Sequence, residues 1–292
     1  MRRYTLIVKT AAVACLMLVA AMSAVAQTSV LYATDGSRCT PSTLYELNPA
    51  DGSIVSTIGS TGVSGMNGLA AHPVTGVMYG ITTGGAGCTA NLYTVNLATG
   101  AASLIGPLGV PAGKPDATFS ASGVLYTYST SNQFIYTVNL ATGAATAVGD
   151  TGVPTFDISL TFDEGTLVMT TGDRVYSVST ATGLATSGPL LGIVPADSNM
   201  STTDPQTCQV YLGDRDGASQ GELYTLNTSS GAMVLLGSNT IGQMSAIEMV
   251  GVPGPCGGEK TPVPTLSSYG LVLTMLGLLL VAARRLRATA RK

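Results

Sequence analysis

Leu92-Tyr93-Thr94-Val95-Asn96-Leu97-Ala98-Thr99-Gly100 is the stretch on which the fold turns. It recurs as Leu44 to Gly52 (LYELNPADG), Ile135 to Gly143 (IYTVNLATG), Val175 to Gly183 (VYSVSTATG) and Leu223 to Gly231 (LYTLNTSSG). The closing glycines stand 48, 43, 40 and 48 residues apart. A repeat of roughly 40 to 50 residues built on strand-forming sequence is the spacing of four-stranded propeller blades. Apolar and polar residues alternate in each copy, as in a half-buried strand, and the last residue is a glycine able to take the left-handed turn.

Working outward, each copy is followed by a second strand: Ile54 to Ile58, Ala102 to Ile105, Ala145 to Val148 and Met233 to Leu236. Upstream lies another, seen in Val30-Leu31-Tyr32, Val77-Met78-Tyr79, Val124-Leu125-Tyr126, Thr166-Leu167-Val168 and Val210-Tyr211-Leu212. Before that comes a segment of small residues, Gly68 to Ala71, Ala117 to Ser120, Ile158 to Phe162 and Met200 to Thr203, as crowding round an axis requires. The first unit lacks this innermost strand, and Met244 to Val250 has its character but no unit of its own. Placing that segment inside the first blade closes the ring and leaves no open edge. The expected fold is all-β, a five-bladed β-propeller over residues 27–252, closed by N- and C-terminal strands. The repeated Tyr45, Tyr93, Tyr136, Tyr176 and Tyr224 should pack between blades.

Composition agrees. In 292 residues, 10% are charged and 45% hydrophobic, with 36 glycines, no tryptophan and one histidine. So few charges exclude a solvated disordered chain and a charge-laced coiled coil. No basic face for nucleic acid is visible.

The two ends read as targeting devices. Arg2, Arg3 and Lys9, an apolar run from Ala11 to Ala21, and Ser23-Ala24-Val25-Ala26 before Gln27 make a signal peptide over residues 1–26, cut by signal peptidase between Ala26 and Gln27. After a Pro/Gly linker at residues 253–262 comes Val263-Pro264-Thr265-Leu266-Ser267-Ser268-Tyr269-Gly270. Leu266 to Ala283 carries no charge, and its 18 residues as a transmembrane helix reach about 27 Å, marginally the depth of a bilayer core. Arg284, Arg285, Arg287, Arg291 and Lys292 follow, and basic residues stay on the cytoplasmic side.

Residues 263–292 resemble the IPTL-CTERM sorting signal of Gram-negative bacteria, Ile-Pro-Thr-Leu-Ser-x-Trp-Gly before an apolar helix and an arginine cluster. Pro264, Thr265, Leu266, Ser267 and Gly270 match; Val263 replaces Ile and Tyr269 replaces Trp. The repeat body resembles secreted bacterial β-propellers. The resemblance implies an exosortase-type processing enzyme as partner. It also implies a precursor anchored in the inner membrane, then a body in the periplasm, at the cell surface or in the extracellular matrix. It says nothing about the body's activity.

Four cysteines remain after the signal peptide, in a setting where disulfides persist. Cys39 and Cys88 fall in the same loop of the first two blades. Cys208 lies in the first turn of the fifth blade, and Cys256 follows the closing strand at the equivalent turn of the first. The expected pairs are Cys39 with Cys88 and Cys208 with Cys256. No C-x-x-C spacing suggests a metal centre.

Catalytic chemistry has little support. His72 is the lone imidazole, placed in a His-Pro turn, and no G-x-S-x-G elbow exists. Carboxylates are better candidates. The repeat alignment stacks Asn67, Asp116, Asp157 and Asn199 at the starts of the innermost strands, with Gln243 near the fifth place. Such a ring of oxygens would suit Ca²⁺ at the channel mouth, the one cofactor the chain hints at. The plainer reading is that these residues cap loops. Asp116 and Asp157 could instead serve a glycan-acting hydrolase, although no aromatic sugar platform accompanies them. Asp214-Arg215-Asp216-Gly217 reads as a surface turn.

The net charge of −3 hides an asymmetry, because the body keeps Arg38, Lys114, Arg174, Arg215 and Lys260 against all 16 acids, a net of −11. Anionic polymers are repelled, and cations, neutral extracellular polysaccharide or protein are the better company. The expected role is a non-catalytic binding or structural module.

Overall fold

In a computed structural model, the residues described are 29–256, apart from 37–38, 85–87, 112, 114, 156, 195–199, 217–219, 253 and 255. The signal peptide, its cleavage site, the sorting motif and the C-terminal helix of the sequence reading lie outside them, as does Asn199. Among the described residues no helix is long and apolar enough to cross a membrane.

The strands follow in the order that the repeat predicts. The first unit gives β1 (Val30–Thr34), β2 (Pro41–Leu47) and β3 (Ile54–Ser64). The second gives β4 (Met66–Ala71), β5 (Met78–Thr82), β6 (Asn91–Val95) and β7 (Ala102–Pro107). The third gives β8 (Ala117–Phe119), β9 (Leu125–Ser129), β10 (Phe134–Val138) and β11 (Ala145–Asp150). The fourth gives β12 (Ser159–Asp163), β13 (Thr166–Thr171), β14 (Arg174–Val178) and β15 (Ala185–Leu190). The fifth gives β16 (Met200–Thr203), β17 (Val210–Asp216), β18 (Gln220–Leu226) and β19 (Met233–Asn239), and β20 (Ala246–Val250) ends the series.

They form five antiparallel four-stranded sheets, the first in the order β20-β1-β2-β3. The chain is a five-bladed β-propeller, and its ring closes as the strand census requires. β20 pairs with β1 from Val30↔Val250 to Thr34↔Ala246, so strands from the two ends of the body share one blade. The inner strands complete a circle, β20 on β4, β4 on β8, β8 on β12, β12 on β16 and β16 on β20. Full closure leaves no exposed inner edge.

Hydrophobic clusters fill the spaces between blades. Leu31, Leu47, Met200, Leu223 and Ile247 pack between the fifth and first blades, and Leu44, Met66, Leu69 and Met78 between the first and second. Ile81, Leu92, Ala117 and Leu125 follow, then Tyr128, Ile135, Leu160 and Met169, then Val168, Val175, Val210 and Leu226. Tyr45 and Tyr176 lean on two of these clusters, in keeping with the repeated tyrosines as inter-blade packing.

The repeated turn has a second use that periodicity does not announce. In Asn139 to Gly143, the Asn139 side chain accepts from the amides of Ala141 (2.9 Å) and Thr142 (3.2 Å), and Gly143 takes φ +80°. The turn also backs onto the outer strand of the preceding blade, where a Cβ on Gly106 would lie 2.2 Å from the Thr142 carbonyl oxygen. The same contact recurs between Gly149 and Thr182, at 1.9 Å. Blades are spaced by backbone against backbone at the rim, and only glycine leaves room for it.

Both disulfides are present, Cys39–Cys88 with Cα atoms 6.0 Å apart and Cys208–Cys256 with Cα atoms 5.1 Å apart. The first joins the β1–β2 and β5–β6 loops, and the second ties the segment after β20 to the fifth blade. Composition ends the propeller at 252, but the bridge carries it to Cys256, and Gly254 packs tightly on the Pro205 backbone. Asp214-Arg215-Asp216 is a further correction. It lies in β17, where Asp214 pairs with Glu222 and is 2% exposed, because the β17–β18 hairpin runs longer than its turn-like sequence suggests.

Candidate functional site

The inner strands start at one face of the ring and end at the other, and the two faces differ. At the starting face, pairing with the next strand sets the level of each residue. Ala117 pairs with Thr127 and Ser159 with Thr170, so Asp116 stands level with Ser159, and Asp157 falls two residues earlier. Asn67 is displaced as well, because the β4–β5 register shifts between Met66 and Gly68 and leaves it in the bulge. The sequence-level ring of Asn67, Asp116, Asp157 and Asn199 is therefore not one level of the channel; the fourth member lies outside the described residues. Gln243 sits before β20 with φ +61°.

These side chains also behave differently. Asp116 is 1% exposed, and its carboxylate accepts from the amides of Ala117 (2.8 Å) and Leu160 (2.6 Å) and from that of Ser201. It thereby stitches the third, fourth and fifth blades across the axis. Burial pushes its pKa well above the usual carboxylate range, and nearby Glu248 adds to the rise. Asn67 is buried with its Oδ1 unpartnered among the described residues. Asp157 is half-buried, and its carbonyl accepts from the hydroxyls of Thr155 and Thr171. Among the described residues no group of three or more His, Cys, Asp or Glu could hold a metal ion.

The cavity lies at the other face. About 310 Å³ opens where the inner strands end, lined among others by His72, Phe119, Phe162, Thr202, Glu248 and Val250. The channel mouth expected at the strand starts is thus found at the strand ends. Tight amide contacts to Asp116 draw the blades together at the first face.

Glu248 is the residue that sequence reasoning missed. It pairs with Tyr32 of β1, which puts it level with Ala70, Thr118, Thr161 and Thr202 of the other inner strands. One Oε accepts from the Ala71 amide (2.8 Å) and the other from the Thr202 hydroxyl (2.9 Å). The carboxyl is enclosed, yet the side chain keeps some accessible surface where it lines the cavity. Burial pushes its pKa up to about 8, against the opposing pull of the Ala71, Thr202 and Met249 donors. At neutral pH it holds its proton. Only its place in the closing strand could have singled it out, since that strand has no repeat copy to be compared with.

His72 occupies the His-Pro turn after β4, where its Nδ1 accepts from the amides of Val74 (3.2 Å) and Thr75 (3.3 Å). Its ring also packs on Phe119, centroids 5.1 Å apart, and so walls the cavity.

No protein-family model matches the chain, and no curated protein matches its sequence. Solved structures match its shape. One chain in the crystal structure of a nidogen/laminin complex is similar with a TM-score of 0.52 at 12% identity, the match covering 77% of this chain and 100% of that one. At that identity the likeness shows a shared propeller fold and nothing of the activity. The two disulfides point to maturation in an oxidising compartment.

Proposed function

We propose that this propeller is an exported, non-catalytic binding module, delivered through its C-terminal sorting signal to the cell surface or matrix, and that its axial cavity is the binding site. The observation that carries the binding reading is the distribution of carboxyl groups. Hydrolysis of a glycoside takes two carboxyls flanking one bond. Here Glu248 is the one carboxyl among the described residues that reaches the cavity, and Asp116 is committed to three backbone amides below it. Asp116 and Asp157, the pair a hydrolase would use, lie at the opposite face. Export is supported by the disulfides and by the three-part ends of the sequence, with signal peptidase and an exosortase-type enzyme as processing partners. The structural neighbour comes from a protein–protein complex, which is consistent with protein as company.

One observation favours the hydrolase reading: a carboxyl that keeps its proton near neutral pH is what a general acid needs. No cleavage is expected when the mature protein is incubated with neutral polysaccharides and the products are sized. Cleavage that disappears in Glu248→Gln would overturn the binding reading. Expression with and without residues 263–292 tests delivery; unchanged location would remove the sorting argument.

A further inference from the structure

Resting on that reading, we propose that the axial cavity receives an alkylammonium group, from a small free amine or from a lysine side chain of a partner protein, with Glu248 as its counter-ion.

Among the described residues the cavity's titratable lining groups are Glu248 and His72, and no lysine or arginine lines it. Among those residues Glu248 has no lysine or arginine beside it, and it stands at the axis of a body with 5 basic residues against 16 acids. An enclosed carboxyl in this state is held neutral, and whatever brings a positive charge to it removes the reason for keeping the proton. The donors facing it pull toward the charged form, against burial, but none of them is a counter-ion. Asp116 approaches from β8 across the axis, Thr202 from β16 and the Ala71 amide from β4 supply neutral dipoles, and His72 stands on the loop after β4.

The walls select the kind of cation. Phe119, Phe162 and His72 add rings to the lining of the cavity that Glu248 enters, as suits an organic ammonium with an aliphatic stem. A hard dication asks for six or more oxygens, roughly. Among the described residues only one carboxyl is at hand, and the Thr161 and Thr203 hydroxyls already bond each other at 2.8 Å. A cavity of about 310 Å³ is at the small end of ligand sites, with room for one alkyl chain and its head group and too little for an oligosaccharide.

Binding then displaces the Glu248 proton. Calorimetry on the mature protein with n-butylammonium and with Nα-acetyl-lysine amide, in buffers of different ionisation enthalpy, reads affinity and proton release together. We expect saturable binding with about one proton released per ligand at pH 6.5 and close to none at pH 9.5, above the Glu248 transition. Glu248→Gln should weaken binding at least about tenfold, with its unfolding midpoint showing that the fold is kept. Phe162→Leu, which leaves the carboxyl in place, should weaken binding about threefold with proton release intact. Equal or tighter binding of butylammonium than of the lysine amide points to a free amine, and the reverse to a lysine side chain. Binding of 1-butanol as tight as that of butylammonium, or undiminished binding by Glu248→Gln, would overturn the proposal, as would no binding of either ammonium probe. A neutral sugar taking the cavity instead would leave the binding reading standing, whereas cleavage of any polymer that depends on Glu248 would remove that reading too.

Discussion

Asp116 and Glu248 are both carboxyls on inner strands, both enclosed at the same axis, and they do opposite things. Asp116, at the face where the strands start, has its oxygens taken up by amides from three blades and is closed to solvent. Glu248, nearer the face where the strands end, accepts from the Ala71 and Met249 amides and the Thr202 hydroxyl and still lines a cavity. Residue type and the count of donors do not separate a structural acid from a receptive one; the space beside it does.

Replacing Asp116 should break that contrast with the largest effect. Asp116→Ala leaves the amides of Ala117, Leu160 and Ser201 buried without an acceptor, and at about 1–3 kcal/mol for each orphaned group the loss should be roughly 5 kcal/mol. Urea unfolding would show it. Asp116→Asn keeps one acceptor oxygen and should lose less than half as much. If both variants unfold like the parent, the axial stitch is unimportant.

Glu248 sharpens the contrast through pH. Its folded pKa of about 8 lies above its ordinary 4.5, so between those values the folded chain holds a proton that the unfolded chain has released. The stability this group contributes is therefore complete below about pH 4.5 and is lost as pH rises through about 8. The change is on the order of 4 kcal/mol. Thermal unfolding from pH 5 to pH 9 should show the decline, and Glu248→Gln should flatten it. A parent curve as flat as the variant's would contradict the enclosed, uncompensated carboxyl.

The blades were legible because the repeated unit carries period, strand alternation and turn at once, and counting strands unit by unit exposed the missing inner strand that β20 supplies. The site was legible only in part. Asn67 and Asp116 look equivalent in the one-dimensional alignment, but the bulge at Met66/Gly68 inserts a residue that no composition marks. Asp157 misses the level by two residues for lack of any signal fixing where β12 begins. Glu248 stayed hidden because the closing strand has no second copy, so an acid there could not be told from one on a solvated face. Gly106 and Gly149 were passed over for a related reason. Their need for glycine arises from the turn of the next blade, which is distant in sequence.

The disulfides fall one on each face, which turns them into a matched pair. They span 49 and 48 residues, so chain entropy in the unfolded state treats them alike, at about 4 kcal/mol each. Whatever difference remains belongs to the folded protein. Cys256 lines the cavity and anchors the segment after β20, while Cys39–Cys88 joins loops at the face of Asp116. Replacing Cys208 and Cys256 together by Ser should cost the common amount and also speed hydrogen exchange in β20 and β1. The Cys39 and Cys88 pair of substitutions should cost as much while leaving β20 protected. Equal exchange in the two variants would mean that the β20–β1 ladder closes the ring without its bridge.

The smallest effect belongs to the rim, away from both faces of the channel. Asn139→Ala removes the side-chain oxygen that accepts from Ala141 and Thr142, but the Gly143 amide still reaches the Asn139 carbonyl at 2.8 Å. These amides are exposed and water replaces the lost acceptor, so the cost should be about 1 kcal/mol. Thermal unfolding should shift by a few degrees, with the pH dependence set by Glu248 unchanged. A loss as large as that from Asp116→Ala would mean that the rim contacts between Gly106 and the Thr142 turn, rather than the axial amides, hold neighbouring blades in register.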